Sequence, residues 1–113
     1  MPNNLTTVED ISNGRQLSYQ GGVRLSVDLA NAIFGQQTET NHNAQLDRQV
    51  RVWPVILPNN NAFLLEDSEP DAPVGQYRVM NVYGESFNAT VAEAVNMIKA
   101  YKVEQIRLAE ENN

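Results

Sequence analysis

The chain is predicted to adopt an α+β fold: a small antiparallel sheet of four to five strands with a long C-terminal helix packed on one face. Three observations predict it. Apolar and polar residues alternate from Leu17 to Val27. Short runs rich in β-branched and aromatic residues recur at 50–57, 62–65 and 76–83, divided by proline, asparagine and glycine. From Thr90 onward the apolar spacing lengthens from two to three and four. At 113 residues and 12.6 kDa the chain suits a single domain that buries about two-thirds of its unfolded surface. Its expected parts are an N-terminal segment 1–14, a sheet region 15–83 with a polar loop at 36–49, and a helix over 90–110.

Each element has a local reason. Thr6 and Glu9 form a capping box before Ile11, and Asn13-Gly14 stops the chain, which predicts one short helical turn over 6–12. Leu17 and Tyr19 precede Gln20-Gly21-Gly22, and Val23, Leu25 and Val27 follow it. A two-residue turn would set Tyr19 against Arg24 and mix the faces. A three-residue loop pairs Tyr19 with Val23 and Leu17 with Leu25, so a hairpin with glycine at positive φ is expected. Asp28 then caps a short helix, Leu29 to Phe34, ended by Gly35; the alternative continues the strand through Leu29.

Between Gln36 and Gln49 only Ala44 and Leu46 are apolar, so this stretch is expected to be a loop or a polar helix. Val50 to Leu57 reads as a buried strand divided at Pro54, which lacks a ladder donor and belongs at an edge or bulge. Pro58 and Asn59-Asn60-Asn61 make a turn, and Ala62 to Leu65 a return strand. The loop 66–75 carries four carboxylates and two prolines. Gln76 to Tyr83 forms the last strand, with Tyr77, Val79 and Tyr83 on one face. In the final helix Thr90 and Glu93 form a second capping box. Val91, Ala94, Val95, Ile98, Tyr101 and Leu108 share a face, and that stripe weakens past Tyr101, where Lys102 and Gln105 interrupt it.

Composition removes whole classes of chemistry. With no cysteine there is no disulfide framework and no thiolate, and a single histidine rules out a multi-histidine metal site within one chain. Fourteen acidic against eight basic residues argue against direct nucleic-acid binding, which draws on lysine and arginine to displace counterions. The N-terminus has neither a basic nor an apolar secretory region, and no apolar run approaches the roughly 20 residues of a membrane span. A cytoplasmic protein without membrane contact is the expectation.

The remaining motifs fail at their decisive positions. Asp67, Glu69 and Asp71 have the opening spacing of a calcium loop, but Pro70 intervenes, Ala72 replaces the turn glycine and Arg78 the bidentate glutamate. Gly84-Glu85-Ser86-Phe87-Asn88 resembles a nucleophile elbow without its second glycine, and His42, the only imidazole, lies in the polar loop. Both lysines sit inside the last helix, so no phosphate loop exists. Neither catalytic residues, nor a metal, nor a cofactor are expected.

One pattern survives. Six of the eight basic residues are arginine, and three interrupt apolar strand sequence: Val23-Arg24-Leu25, Val50-Arg51-Val52 and Tyr77-Arg78-Val79. If their strands share a face, Arg24, Arg51 and Arg78 converge, and a guanidinium fork suits carboxylate or phosphate. Tyr83, Phe87 and Asn88 would add a ring and an amide for a planar group, and Arg107 would come from a neighbouring subunit. This predicts a non-catalytic protein that captures a small anionic, nucleotide-like ligand. The plainer possibility is that the arginines snorkel over the solvent face and pair with Asp28, Asp47, Glu66 or Glu85. Trp53, Tyr77 and Tyr101 then serve the core or an interface.

The second function class is a protein-interaction module, such as an inhibitor, an adaptor or a small phage-type accessory or assembly protein, acting through the long helix and polar loops. Either way the half-amphipathic helix predicts self-association, a homodimer being simplest.

Overall fold

The computed structural model describes residues 8–12, 14, 16–35, 39–43, 47–57, 61–85 and 90–111. The fold is α+β. Five antiparallel strands lie in the order β1-β5-β4-β3-β2: β1 (Leu17–Leu25), β2 (Glu39–Asn43), β3 (Arg48–Ile56), β4 (Ala62–Asp67) and β5 (Arg78–Glu85). The helices are α1 (Val8–Ser12), α2 (Val27–Phe34) and α3 (Thr90–Glu111). Several expectations fall outside the described residues: the Thr6 cap, the Asn13 stop, the turn at 58–60, the remainder of the polar loop, and Phe87 with Asn88.

Both sheet faces are apolar, and each has its own cover. The inner face carries Val23, Leu25, Trp53, Val55, Phe63, Leu65, Met80 and Val82 beneath α2 and α3, which contribute Ile33, Phe34, Ala94 and Ile98. Phe34 meets Phe63 edge to face, 5.6 Å between ring centroids. On the outer face α1 sets Ile11 over Val50, Val52, Ala62 and Leu64.

The expected hairpin at Gln20-Gly21-Gly22 is corrected. Leu17 to Leu25 is one strand paired throughout with β5, from Leu17 opposite Glu85 to Leu25 opposite Arg78, with a bulge between Tyr19 and Gly21. The extra residue reverses the alternation. Leu17 and Tyr19 therefore face outward, while Val23 and Leu25 enter the inner core. Gly21 adopts φ +136°, which a side chain disfavours.

Smaller corrections follow the same physics. The N-cap of α2 is Ser26 rather than Asp28: its hydroxyl accepts from the Leu29 amide at 3.1 Å, and Asp28 lies in the first turn. Gly35 closes that helix as expected. The polar 36–49 stretch contains β2, an edge strand paired with β3 alone. Pro54 does not divide β3: the strand runs through it, in register with Leu64 of β4, two residues beyond Val52, the last residue paired with β2 among the described residues. β4 runs on to Asp67, and β5 begins at Arg78, leaving Tyr77 outside the strand and exposed.

Candidate functional site

β5, β4 and β3 are adjacent, so alternation carries Arg78, Asp67 and Arg51 to the same inner face, at one end of the sheet. Asp67 follows Phe63 and Leu65 at two-residue spacing and is drawn inward with them. Its side chain and that of Arg78 are both 0% exposed, whereas Arg51 is 28% exposed. Asp67 Oδ2 accepts from Arg78 Nη1 at 2.8 Å and from Arg51 Nη1 at 3.0 Å, while Oδ1 accepts from the Glu69 amide at 3.0 Å. The anion between these two arginines is thus the chain's own carboxylate.

Arg78 spends its other donors on the loop that precedes it. Nε donates to the Gln76 carbonyl at 2.8 Å, Nη1 also to that of Glu69, and Nη2 to that of Pro73. Arg51 reaches the Pro70 carbonyl at 3.3 Å. The acidic segment 68–77 is thereby latched to the sheet end. Arg48 and Asp71 add an exposed pair at 2.7 Å, of little energetic weight.

The other predicted residues lie elsewhere. Arg24 is opposite Val79 on the outer face, so the three strand arginines do not share a face. Tyr83 is also outward, edge to face with Tyr19 at 5.9 Å. Arg107 stands on the exposed end of α3, paired with Glu104 and Glu111 of its own helix. That hydrogen bond from Arg107 holds the Glu104 carboxyl below the ordinary range and raises the guanidinium. The sequence pattern pointed to the arginines but missed Asp67, whose signal is its place two residues beyond the Phe63-Leu65 alternation.

The outer face carries a second polar cluster around buried Glu66, which accepts from Asn81 Nδ2 at 3.3 Å and from the Tyr83 hydroxyl. Burial, then the Glu66 charge and that hydrogen bond, push the Tyr83 phenol upward. A phenol raised in the fold contributes stability that is fully present below its ordinary value of 10.0 and is lost as pH climbs through the higher folded value. Urea midpoints followed into alkali should therefore fall for the wild type and flatten in Tyr83→Phe. An unchanged alkaline limb in the variant would sever that link. Among the described residues no group of three or more metal-ligating side chains occurs.

The last feature is α3 itself. At about 1.5 Å per residue its 22 residues span about 33 Å, within a molecule 47 Å in its longest dimension. Ala94 and Ile98 are buried and Tyr101 half-buried against the core; every residue from Lys102 to Glu111 is exposed. Val103 is 65% and Ile106 60% exposed, and Leu108 is also open. Lys102 lies over the Tyr77 ring, 5.5 Å from its centroid, joining this helix end to the latched loop. Among the described residues no helix is long and apolar enough to cross a membrane.

No family model, curated protein or solved structure matches the chain.

Proposed function

We propose that this chain is a protein-interaction module whose contact surface is the second half of α3. One observation carries the reading: beyond Lys102, which still meets Tyr77, α3 leaves the domain body, and its large apolar side chains there, Val103 and Ile106 above all, have no cover. A helix end retained only for the fold gains nothing from valine and isoleucine in water, whereas an uncovered apolar stripe is a helical recognition face. Capture of an anion by strand arginines has less support, because Arg51 and Arg78 surround Asp67 and Arg24 lies on the opposite face.

The test is the double substitution V103K/I106K. In dilute solution its unfolding free energy from urea titration should match the wild type to within about 0.5 kcal/mol, as for ordinary surface changes, while association through this helix is lost. A loss of about 2 kcal/mol or more in the dilute chain would return these side chains to the core and end the reading.

A further inference from the structure

The exposed part of α3 has a sequence order that specifies its occupant. Lys99, Val103, Ile106 and Glu110 follow one another at spacings of four, three and four, which places them on one stripe of the helix. All four are exposed, and neither Lys99 nor Glu110 has an ion pair among the described residues. Taken from either end, the stripe runs charged, apolar, apolar, charged, with opposite charges at its two ends.

Such a stripe is complementary to itself in one orientation only. We propose that α3 pairs with α3 of a second copy in antiparallel fashion, about a two-fold axis between Glu104 and Gln105. Lys99 then faces the partner's Glu110, and Val103 faces the partner's Ile106. The proposal rests on the interaction reading above and names the partner. A parallel pair would oppose lysine to lysine and glutamate to glutamate.

The flanking positions agree with the antiparallel arrangement. Lys102 and Ala109 border the stripe on one side, Ala100 and Arg107 on the other. Reversal brings each long cation beside an alanine of the other copy rather than beside another cation. Arg107 is already neutralised by Glu104 and Glu111 of its own chain.

The contact involves about a dozen residues per chain, which is below a standard-size interface of about 800 Å² per partner. A reversible dimer that dissociates on dilution is therefore expected. The symmetry doubles each effect, because every substitution alters both ends of the pair.

Sedimentation equilibrium of the wild type, Lys99→Glu, Glu110→Lys and the double reversal K99E/E110K tests the arrangement. Each single reversal should weaken dimerisation about tenfold by creating two like-charge contacts. The double reversal, and an equimolar mixture of the two single variants, should return it to within about twofold of the wild type. A parallel pair would leave the single reversals no weaker than the wild type, and that result overturns the proposal. So does a wild type that stays monomeric at its highest attainable concentration. The dilute stability of V103K/I106K separates the two failures. Unchanged stability beside a monomeric wild type refutes self-pairing alone, whereas lost stability refutes the interaction surface as well.

Discussion

Replacing Asp67 with alanine is expected to destabilise the fold by about 3–5 kcal/mol. Asp67 and Arg78 are both fully enclosed, and a single carboxylate oxygen serves two guanidinium groups at 2.8 and 3.0 Å. Removing the carboxylate leaves the Arg78 charge in the interior without a counter-ion. The cost is dominated by that abandoned charge rather than by the attraction lost. Two graded controls separate the effects. Asp67→Asn keeps the shape but leaves the Arg78 charge equally without a counter-ion, so it should cost nearly as much as alanine, about 3 kcal/mol. Arg51→Met removes a partner that is partly hydrated, and should cost about 1 kcal/mol. The loop 68–77 should respond as well, since Arg78 holds the Gln76, Glu69 and Pro73 carbonyls. Urea titration gives the energies, and amide exchange along the loop reports the latch. A loss below about 1 kcal/mol in Asp67→Ala would mean that water reaches this cluster freely.

The architecture was legible wherever one physical pattern acted alone. The spacing of Val91, Ala94, Val95, Ile98 and Tyr101 implied α3, and the structure packs all five on the core. Fading of that stripe after Tyr101 corresponds to the point where the helix leaves the body. The strand at Leu17–Leu25 was misread for a definite reason. A three-residue turn and a one-residue bulge both accommodate apolar residues at 17, 19, 23 and 25. Alternation distinguishes them only when one face is polar, and here Leu17 packs on the outer cluster while Val23 and Leu25 pack on the inner one. β2 offered no signal at all. Its residues, Glu-Thr-Asn-His-Asn, lack apolar alternation, and the backbone ladder to β3 is what makes them a strand.

The arginine cluster shows a different limit. Local alternation predicts which way each arginine points from its own strand, but convergence depends on strand order and relative face. Arg51 and Arg78 share a face because β4 lies between their strands, and it is β4 that supplies the carboxylate. Arg24 was separated from them by the bulge four residues before it. The 66–75 segment, expected to be an acidic loop, therefore divides in two. Glu66 and Asp67 are buried strand residues with polar partners on opposite faces, and the rest is a loop held by arginine. A net negative composition conceals this local arrangement, because two of the scarce cations are committed to a single internal acid.

The core should be most sensitive at Trp53, where alanine is expected to cost about 3–5 kcal/mol. The indole is fully buried on the inner face of β3, among residues of α2 and the neighbouring strands. Its volume fills the space beneath α2, and its Nε1 donates to Asn31 Oδ1 at 3.0 Å. The two contributions can be separated. Trp53→Phe retains most of the apolar contact and loses the donor. Asn31→Ala removes the acceptor and strands a buried N–H, for about 1–3 kcal/mol. If the hydrogen bond orients α2 on the sheet, the Trp53→Phe/Asn31→Ala double variant should lose less than the two single losses combined, by about 1 kcal/mol. Trp53 is the only tryptophan, so its fluorescence reports unfolding in the wild type and Asn31→Ala, with circular dichroism used for the Trp53 variants. Strict additivity would show that volume alone seats α2 on β3. The indole donor would then be satisfied without contributing to the helix's position.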